Sequence, residues 1–189
     1  MILDAIREQL VTQMSINVGP EGNLLDPTAE SCRQVKINSP ILENEELAKL
    51  RDLDMEGLRT KTLPLLFPAA EGTDGLARAM EDLCNKASQA IDSGYRILIL
   101  SDRGVNREMA PIPALLGVSG VHHHLVREET RTQVGLVAET GDAREVHHAA
   151  LLIGYGATAV NPYLAFETLG GMIRQGALTK ADHATAVHN

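Results

Sequence analysis

The chain has 189 residues, a formal net charge of −8 at pH 7 and a sequence pI near 5.3. An acidic chain without a run of basic residues lacks the charge pattern of proteins that bind nucleic acids or anionic membranes. The hydrophobic fraction is 44%, but aromatic residues make up only 3% and Trp is absent. The core must therefore be built from Leu, Ile, Val and Ala.

The sequence indicates a cytoplasmic protein. No apolar stretch approaches the roughly 18 residues of a membrane-spanning helix, and the first ten residues are amphipathic rather than signal-like. Cys32 and Cys84 lie far apart, which fits a reducing compartment better than a disulfide scaffold. We therefore expect a protein with no membrane and no nucleic-acid partner.

The first quarter of the chain predicts a helix followed by an extended arm. The stripe of the helix over residues 2–14 is formed by Ile2, Ile6, Leu10 and Met14. Residues 18–40 contain too many Gly and Pro for long regular structure, yet apolar residues are embedded among them. This pattern predicts an arm that lies on another surface.

A short helix follows the arm. Asn44 is placed to cap it, and acids in its first turn suit the helix dipole. Its apolar residues are Leu47, Leu50 and Leu53. We assign residues 1–54 to an N-terminal region and residues 55–189 to a core.

Four short apolar runs in the core predict strands at 62–67, 96–100, 134–138 and 157–161. Runs that are apolar along their whole length are typical of strands buried on both faces of a parallel sheet. Pro64 inside the first run indicates an edge position or pairing on one side only. Strands that alternate with helices in this way are typical of a right-handed array of βα units in an α/β fold.

Helical patterns follow each predicted strand. Thr73 or Asp74 is placed to cap the first of these helices, and Gly94 to close it. The third begins at 142–145 and ends at Gly154 and Gly156, with a buried face predicted to consist of Val146, Ala149, Ala150 and Ile153. The last runs from about 166 to 175.

Polar residues stand directly after three of the predicted strands. Parallel α/β proteins bind ligands at the carboxyl ends of their strands. The residues at these ends are Ser101, Asp102, Arg103, Glu139, Thr140 and Asn161. Asp102 and Glu139 are the carboxylates that immediately follow apolar strands, so a role as a base or in orienting a substrate is one interpretation.

The other interpretation of these carboxylates is structural. Asp102 would cap a turn and pair with Arg103 or Arg107, and Glu139 would meet Arg144. The sequence by itself favours this second interpretation. We therefore assign no catalytic residue, and the candidate residues to examine are Asp102, Arg103, Glu139 and Asn161.

Histidines occur in two runs, at 122–124 and 147–148. Adjacent residues on a helix point about 100° apart, so no pair within one run chelates a metal from one face. A site that bridges the two runs is one alternative; histidines packed at a seam between helices are the other. Gly154-Tyr155-Gly156 precedes a strand, which is the wrong side for a phosphate-binding loop. We predict no metal site and no cofactor site in this chain.

Several longer motifs carry a family resemblance. They are SDRG at 101–104, APIPALLGVSGVHHHLVR at 110–127, ETGDAREVHHAALLIGYGATAVNPYLAFETL at 139–169 and GPEGNLLDP at 19–27. Together they resemble the central domain of the large chain of glutamate synthase. The likeness covers essentially the whole chain in order.

The resemblance implies a function for the parent enzyme. That family makes glutamate from glutamine and 2-oxoglutarate. Its central domain is an α/β connector related in topology to the flavin barrel, located between that barrel and an amino-terminal glutaminase, and it helps to enclose the path of ammonia. FMN, the iron–sulfur cluster and the nucleophilic amino-terminal cysteine belong to those neighbouring domains. This chain begins Met1-Ile2 and has no cysteine cluster, so no catalytic residue of the family is carried over.

Three functional hypotheses compete. The leading one is a connector without catalysis, whose partners are the glutaminase and flavin domains, present here as a fragment or a stand-alone copy. The second is a free-standing small α/β enzyme that uses Asp102 and Glu139, and the third is a metal-binding hydrolase that uses the histidines. We also expect a colourless protein without bound flavin or iron.

The architecture expected is four βα units with parallel strands in sequential order, forming an incomplete, TIM-like half barrel. The open edges of such a sheet and an arm without partners predict a twofold homodimer. The alternative is an arm that folds back over its own chain and leaves a monomer.

Overall fold

The computed structural model describes residues 14–23, 25–179 and 182–188. Apart from Met14, the helical stripe predicted over 2–14 lies outside these residues. The strands are β1 Ile16–Val18, β2 Val35–Ile37, β3 Asp54–Met55, β4 Leu58–Pro64, β5 Leu66–Pro68, β6 Tyr95–Ser101, β7 Met109–Pro111, β8 Gly135–Glu139 and β9 Ala159–Asn161. The helices are α1 Asn44–Arg51, α2 Gly72–Asp92, α3 Ala114–Arg127, α4 Val146–Gly154, α5 Tyr163–Arg174 and α6 His183–His188. None of these helices is long and apolar enough to cross a bilayer.

In the part of the chain that the structure describes, the central sheet has five strands in the order β3-β4-β6-β8-β9. β4, β6, β8 and β9 are parallel to one another, whereas the two-residue β3 is antiparallel to β4. The predicted sequential order of four parallel strands is therefore confirmed. Their closure into a half barrel stays a prediction, since this strand order occurs in barrels and in open sheets alike.

The first parallel strand begins and ends earlier than predicted. β4 stops at Pro64, and the next residues of the run turn away as β5, which pairs antiparallel with β7. β3 lies opposite only Leu58 and Arg59, so among the described residues Pro64 has a strand neighbour on one side alone, β6. The prediction made from Pro64 is confirmed, because a residue without an N–H is tolerated where one side of the ladder is free.

Both faces of the sheet are buried, which explains the apolar runs. Leu98, Leu100 and Leu136 pack with α2 and α3 on one face, in a cluster that includes Leu83 and Val118. Ile97, Ile99 and Val137 point to the other face, where the residues packed on them include Val18, Leu47 and Leu50. Successive strand residues alternate between the faces, so a sheet covered on both sides needs an apolar residue at every position.

The arm covers its own sheet. Val18 in β1 is fully buried, and Glu21 donates its backbone N–H to the carbonyl of Thr132 at 2.8 Å. Residues 39–42 run along the outer edge of β9, where Val160 donates to the Pro40 carbonyl at 2.8 Å. The arm thus folds back over its own chain, which was the alternative to a dimer. The homodimer itself stays a prediction.

Several helix boundaries differ from the predicted ones. Glu43, not Asn44, is the N-cap of α1, and α2 begins at Gly72 rather than after Thr73 or Asp74. α5 begins at Tyr163, three residues before the predicted start at 166. Gly94 has φ of +84° just after α2, as the predicted C-terminal glycine requires.

The start of α4 is the largest of these corrections. Asp142 accepts a hydrogen bond from the N–H of Ala114 in α3, so residues 142–145 form a loop instead of a first helical turn. The helix begins four residues late, and the predicted buried face is wrong. Val146 is 88% exposed, and Leu152 is buried in its place.

The contact between arm and sheet predicts a clear difference between two glycine substitutions. A Cβ at Gly135 would lie 2.8 Å from the backbone nitrogen of Gly19 in the arm, whereas a Cβ at Gly154 would meet nothing within 4 Å. Gly135→Ala should therefore lower the free energy of unfolding by about 1–3 kcal/mol. Gly154→Ala, the control, should leave it unchanged or raise it by about 0.5–1 kcal/mol. Urea unfolding measures both, and equal effects would contradict the packing of the arm.

Candidate functional site

The strand-end residues lie at one edge of the sheet. Ser101 is in register with Glu139, and Glu139 with Asn161, so three neighbouring strands place these side chains in one layer. Asp102 and Thr140 follow in the chain. All five are buried despite being polar or charged. Buried polar groups need internal partners, and the partners of these side chains decide what the site can do.

Glu139 is the centre of the layer. Its side chain is only 2% exposed, and it accepts hydrogen bonds from Ser101 Oγ at 2.5 Å, Arg51 Nη2 at 2.6 Å and Arg103 Nε at 2.6 Å. Burial by itself would raise the pKa of Glu139. The hydrogen bonds from Ser101, Arg103 and Arg51 outweigh burial and hold that pKa below its ordinary value.

The predicted partner of Glu139 was wrong. Arg144 does not meet it; Arg51, which lies 88 residues earlier at the end of α1, does. No spacing or motif pointed to Arg51, because the contact depends on how α1 lies across the sheet.

Arg103 links Glu139 to α5. Its Nη1 donates to Glu167 at 3.1 Å, and its guanidinium carbon lies 3.9 Å from the ring centre of Tyr163. Burial would lower the pKa of Arg103, but the hydrogen bonds to Glu139 and Glu167 raise it. A buried carboxylate is thus framed by two half-exposed guanidiniums, those of Arg103 and Arg51.

Asp102 caps a turn, as the structural interpretation predicted. It accepts hydrogen bonds from Thr140 Oγ1 at 2.6 Å and from the N–H of Gly141 at 2.9 Å. Burial, followed by a hydrogen bond to Asp102, raises the pKa of Tyr163. The predicted ion pair of Asp102 with Arg103 or Arg107 is not found among the described residues, and Arg103 pairs with Glu139 and Glu167 instead.

Asn161 holds the other end of α1. Its Nδ2 donates to the Leu42 carbonyl at 2.8 Å and to Asn44 Oδ1 at 3.0 Å. Its Oδ1 is buried and has no hydrogen-bond partner within the part of the chain that the structure describes. Asn161 and Glu139 therefore fix α1 at both ends, through Asn44 and Arg51.

His122, His124 and His148 are half-buried, whereas His123 and His147 are exposed. His124 Nε2 and Ser88 Oγ are 2.9 Å apart between α3 and α2, and His148 Nδ1 accepts the N–H of Arg144. Within residues 14–23, 25–179 and 182–188, no three His, Cys, Asp or Glu side chains converge as metal ligands do. Burial raises the pKa of the Cys84 thiol, more than Arg127 lowers it, which disfavours the thiolate.

Both strand-end carboxylates are engaged by donors within the fold. A general base needs a free lone pair within reach of a substrate and a pKa near the working pH. Asp102 and Glu139 are both buried, and both already accept internal hydrogen bonds. The contacts of the two carboxylates connect α1, β6, β8 and α5 at one edge of the sheet.

The comparisons with known proteins agree along the whole chain. The model of the family described as glutamate synthase central domain matches residues 2–189. The chain is 44% identical over 176 residues to the glutamate synthase [NADPH] large chain of Bacillus subtilis, covering 93% of this chain and 11% of that protein. It is 40% identical over 190 residues to the glutamate synthase [NADH] of Schizosaccharomyces pombe, covering 99% and 9%. A ferredoxin-dependent glutamate synthase of Pyropia yezoensis is 39% identical over 168 residues, covering 88% and 11%.

The chain thus spans about a tenth of the length of these relatives. The match to the family model covers nearly every residue, and it includes each motif on which the resemblance was based. This chain belongs to the glutamate synthase central domain family.

Proposed function

We propose that this chain is the connector domain of a glutamate synthase large chain and carries out no catalysis of its own. In the parent enzyme it holds the glutaminase and flavin domains in place and helps to enclose the path of ammonia between them. The observation that carries the proposal is the state of the two strand-end carboxylates. Asp102 and Glu139 are buried and engaged by internal donors, so they stabilise an edge instead of facing a substrate.

The relatives support a role that does not depend on the electron donor. Their names include NADPH, NADH and ferredoxin, and the identities to this chain are similar, at 44%, 40% and 39%. A domain that touched the donor would be expected to diverge with it. The proposal therefore leaves FMN, the iron–sulfur cluster and the electron donor to other domains, and gives the parent the conversion of glutamine and 2-oxoglutarate to glutamate.

A substitution in the long polypeptide tests the absence of catalysis. Asp102→Asn removes a carboxylate that a general base would need, and loss of such a base usually costs 10²–10⁴ in rate. We expect the kcat values for glutamine hydrolysis and for 2-oxoglutarate consumption each to stay within about tenfold of the wild type. Any defect should instead lower the melting temperature or raise the ratio of glutamine hydrolysed to 2-oxoglutarate consumed.

Glu167→Gln is the matched control, because its carboxylate is half-exposed and also lies in this edge. It should change neither the rates nor the ratio. A loss of 10² or more in one half-reaction by Asp102→Asn, at an unchanged melting temperature, would show that Asp102 takes part in catalysis and would contradict the proposal.

A further inference from the structure

Arg131 lies at a junction of four segments. From the turn after α3, its Nε donates to His122 Nδ1 at 3.0 Å, Nη1 to the Val134 carbonyl at 2.7 Å and Nη2 to the Gly156 carbonyl at 2.8 Å. These acceptors belong to α3, to the residue just before β8 and to the turn between α4 and β9. One guanidinium thus ties the helical layer to the end of the sheet opposite the strand-end carboxylates.

The hydrogen bond to His122 fixes the protonation state of that ring. An arginine Nε can only donate, so His122 Nδ1 must accept, and the imidazole must be neutral with its proton on Nε2. A doubly protonated ring has no acceptor and would place a second positive charge 3.0 Å from Arg131. The ring also packs against Gly156, where any Cβ would overlap it, so only a glycine at position 156 lets His122 lie here.

We propose that His122 is an acid-sensitive latch: a second proton on its ring removes the acceptor of Arg131 and opens the junction between α3, β8 and the α4–β9 turn. The contacts of Arg131 change from three acceptors to two. The Val134 and Gly156 carbonyls then share a guanidinium that the charged ring repels.

The charged and titratable groups around the latch set the direction of the effect. His123 on α3 has its ring centre 5.0 Å from that of His122, and Arg131 faces His122 from the following turn. Burial, Arg131 and His123 all lower the pKa of His122 below its ordinary value. Burial lowers the pKa of Arg131, and the charge of Glu21 in the arm opposes this only in part. The α4–β9 turn contributes the Gly156 carbonyl.

The folded pKa of His122 is lower than the pKa of the opened form, so the latch is closed at neutral pH. Closure is complete above the ordinary histidine pKa of about 6.5, and it is lost as the pH falls through the folded pKa. A single linked proton limits the change to about tenfold in the opening constant per pH unit. The expected effect is therefore local, acid-induced opening.

Hydrogen exchange measured by mass spectrometry tests this between pH 7.5 and 5.5, after correction for intrinsic exchange rates. In the wild type, peptides covering 131–136 and 154–160 should lose several-fold more protection on acidification than peptides within α2. In His122→Asn, an amide oxygen replaces Nδ1 as the acceptor and does not titrate, so this extra loss should disappear. His123→Asn, the control on the exposed neighbour, should keep it.

An NMR titration of the imidazole nitrogens gives a second readout that needs no variant to fold. It should show His122 as the neutral Nε2–H form, with a midpoint below the ordinary histidine pKa of about 6.5. A His122 midpoint at or above 6.5, or an equal acid-induced loss of protection in His122→Asn and the wild type, would overturn the proposal.

Discussion

Glu139→Ala is expected to lower the free energy of unfolding by about 2–4 kcal/mol. Breaking a fully buried ion pair costs about 3–5 kcal/mol. We expect a smaller loss here because the guanidiniums of Arg51 and Arg103 are about 40% exposed, so water solvates them in part once Glu139 is removed. The substitution also leaves the buried Ser101 hydroxyl without its acceptor. Urea unfolding at pH 7 measures the loss.

The pH dependence of this loss is a second check on its cause. Because the folded pKa of Glu139 is below its ordinary value, its contribution is present above the unfolded pKa of about 4.3. The contribution is lost as the pH falls through the folded pKa. The difference between wild type and Glu139→Ala should therefore shrink in acid. Glu167 is a half-exposed partner of Arg103, so Glu167→Gln should lower the free energy of unfolding by at most about 0.5–1 kcal/mol. Equal losses for Glu139→Ala and Glu167→Gln would contradict the central position of Glu139.

Leu47→Ala should cost a comparable amount, about 2–5 kcal/mol. Leu47 is 2% exposed and belongs to the cluster that α1 and β1 form with Ile97, Ile99 and Val137 on the sheet. Truncation leaves a cavity between α1 and the sheet. The helix cannot move to close this cavity, because Arg51 and Asn44 fix it at both ends.

Leu25→Ala is the matched control for Leu47→Ala. Leu25 lies in the arm but is 95% exposed, so its truncation should stay within about 0.5 kcal/mol of the wild type. Thermal or urea unfolding separates the two. If Leu47→Ala were as mild as Leu25→Ala, α1 would not be part of the core, and the account of the second sheet face would be wrong.

The parallel sheet was predictable because its signal is local. The inner strands β6 and β8 contain short apolar runs, at 97–100 and 136–138, and the residues between strands have helical spacing. β4 is mostly polar in its middle, and its bounds were predicted less well. Boundaries were less predictable where a distant contact overrode the local pattern. Residues 142–145 have the composition of a helix start, but the bond between Asp142 and the Ala114 N–H keeps them in a loop.

The residues that form the site were predictable from the sequence, but the hydrogen bonds and ion pairs between them were not. The rule for strand ends identified Ser101, Asp102, Glu139, Thr140 and Asn161, which the structure brings to one edge. Arg51, the partner that fixes α1 to this edge, was missed because it is exposed, lies 88 residues from Glu139 and follows no motif. Ion pairs between residues far apart in the chain depend on how the elements pack, which a single sequence does not show.

The central claim is that this chain works as one domain of a polypeptide of the glutamate synthase type. Antibodies raised against the 20.4 kDa chain, used on a denaturing gel of lysate from its source cells, test this directly. The relatives are about nine to eleven times longer than the matched part, so the account predicts a band roughly tenfold heavier than this chain. Peptides of this chain should be found in that band together with those of a glutaminase and a flavin domain. A band at about 20 kDa alone, with no larger species, would contradict the account.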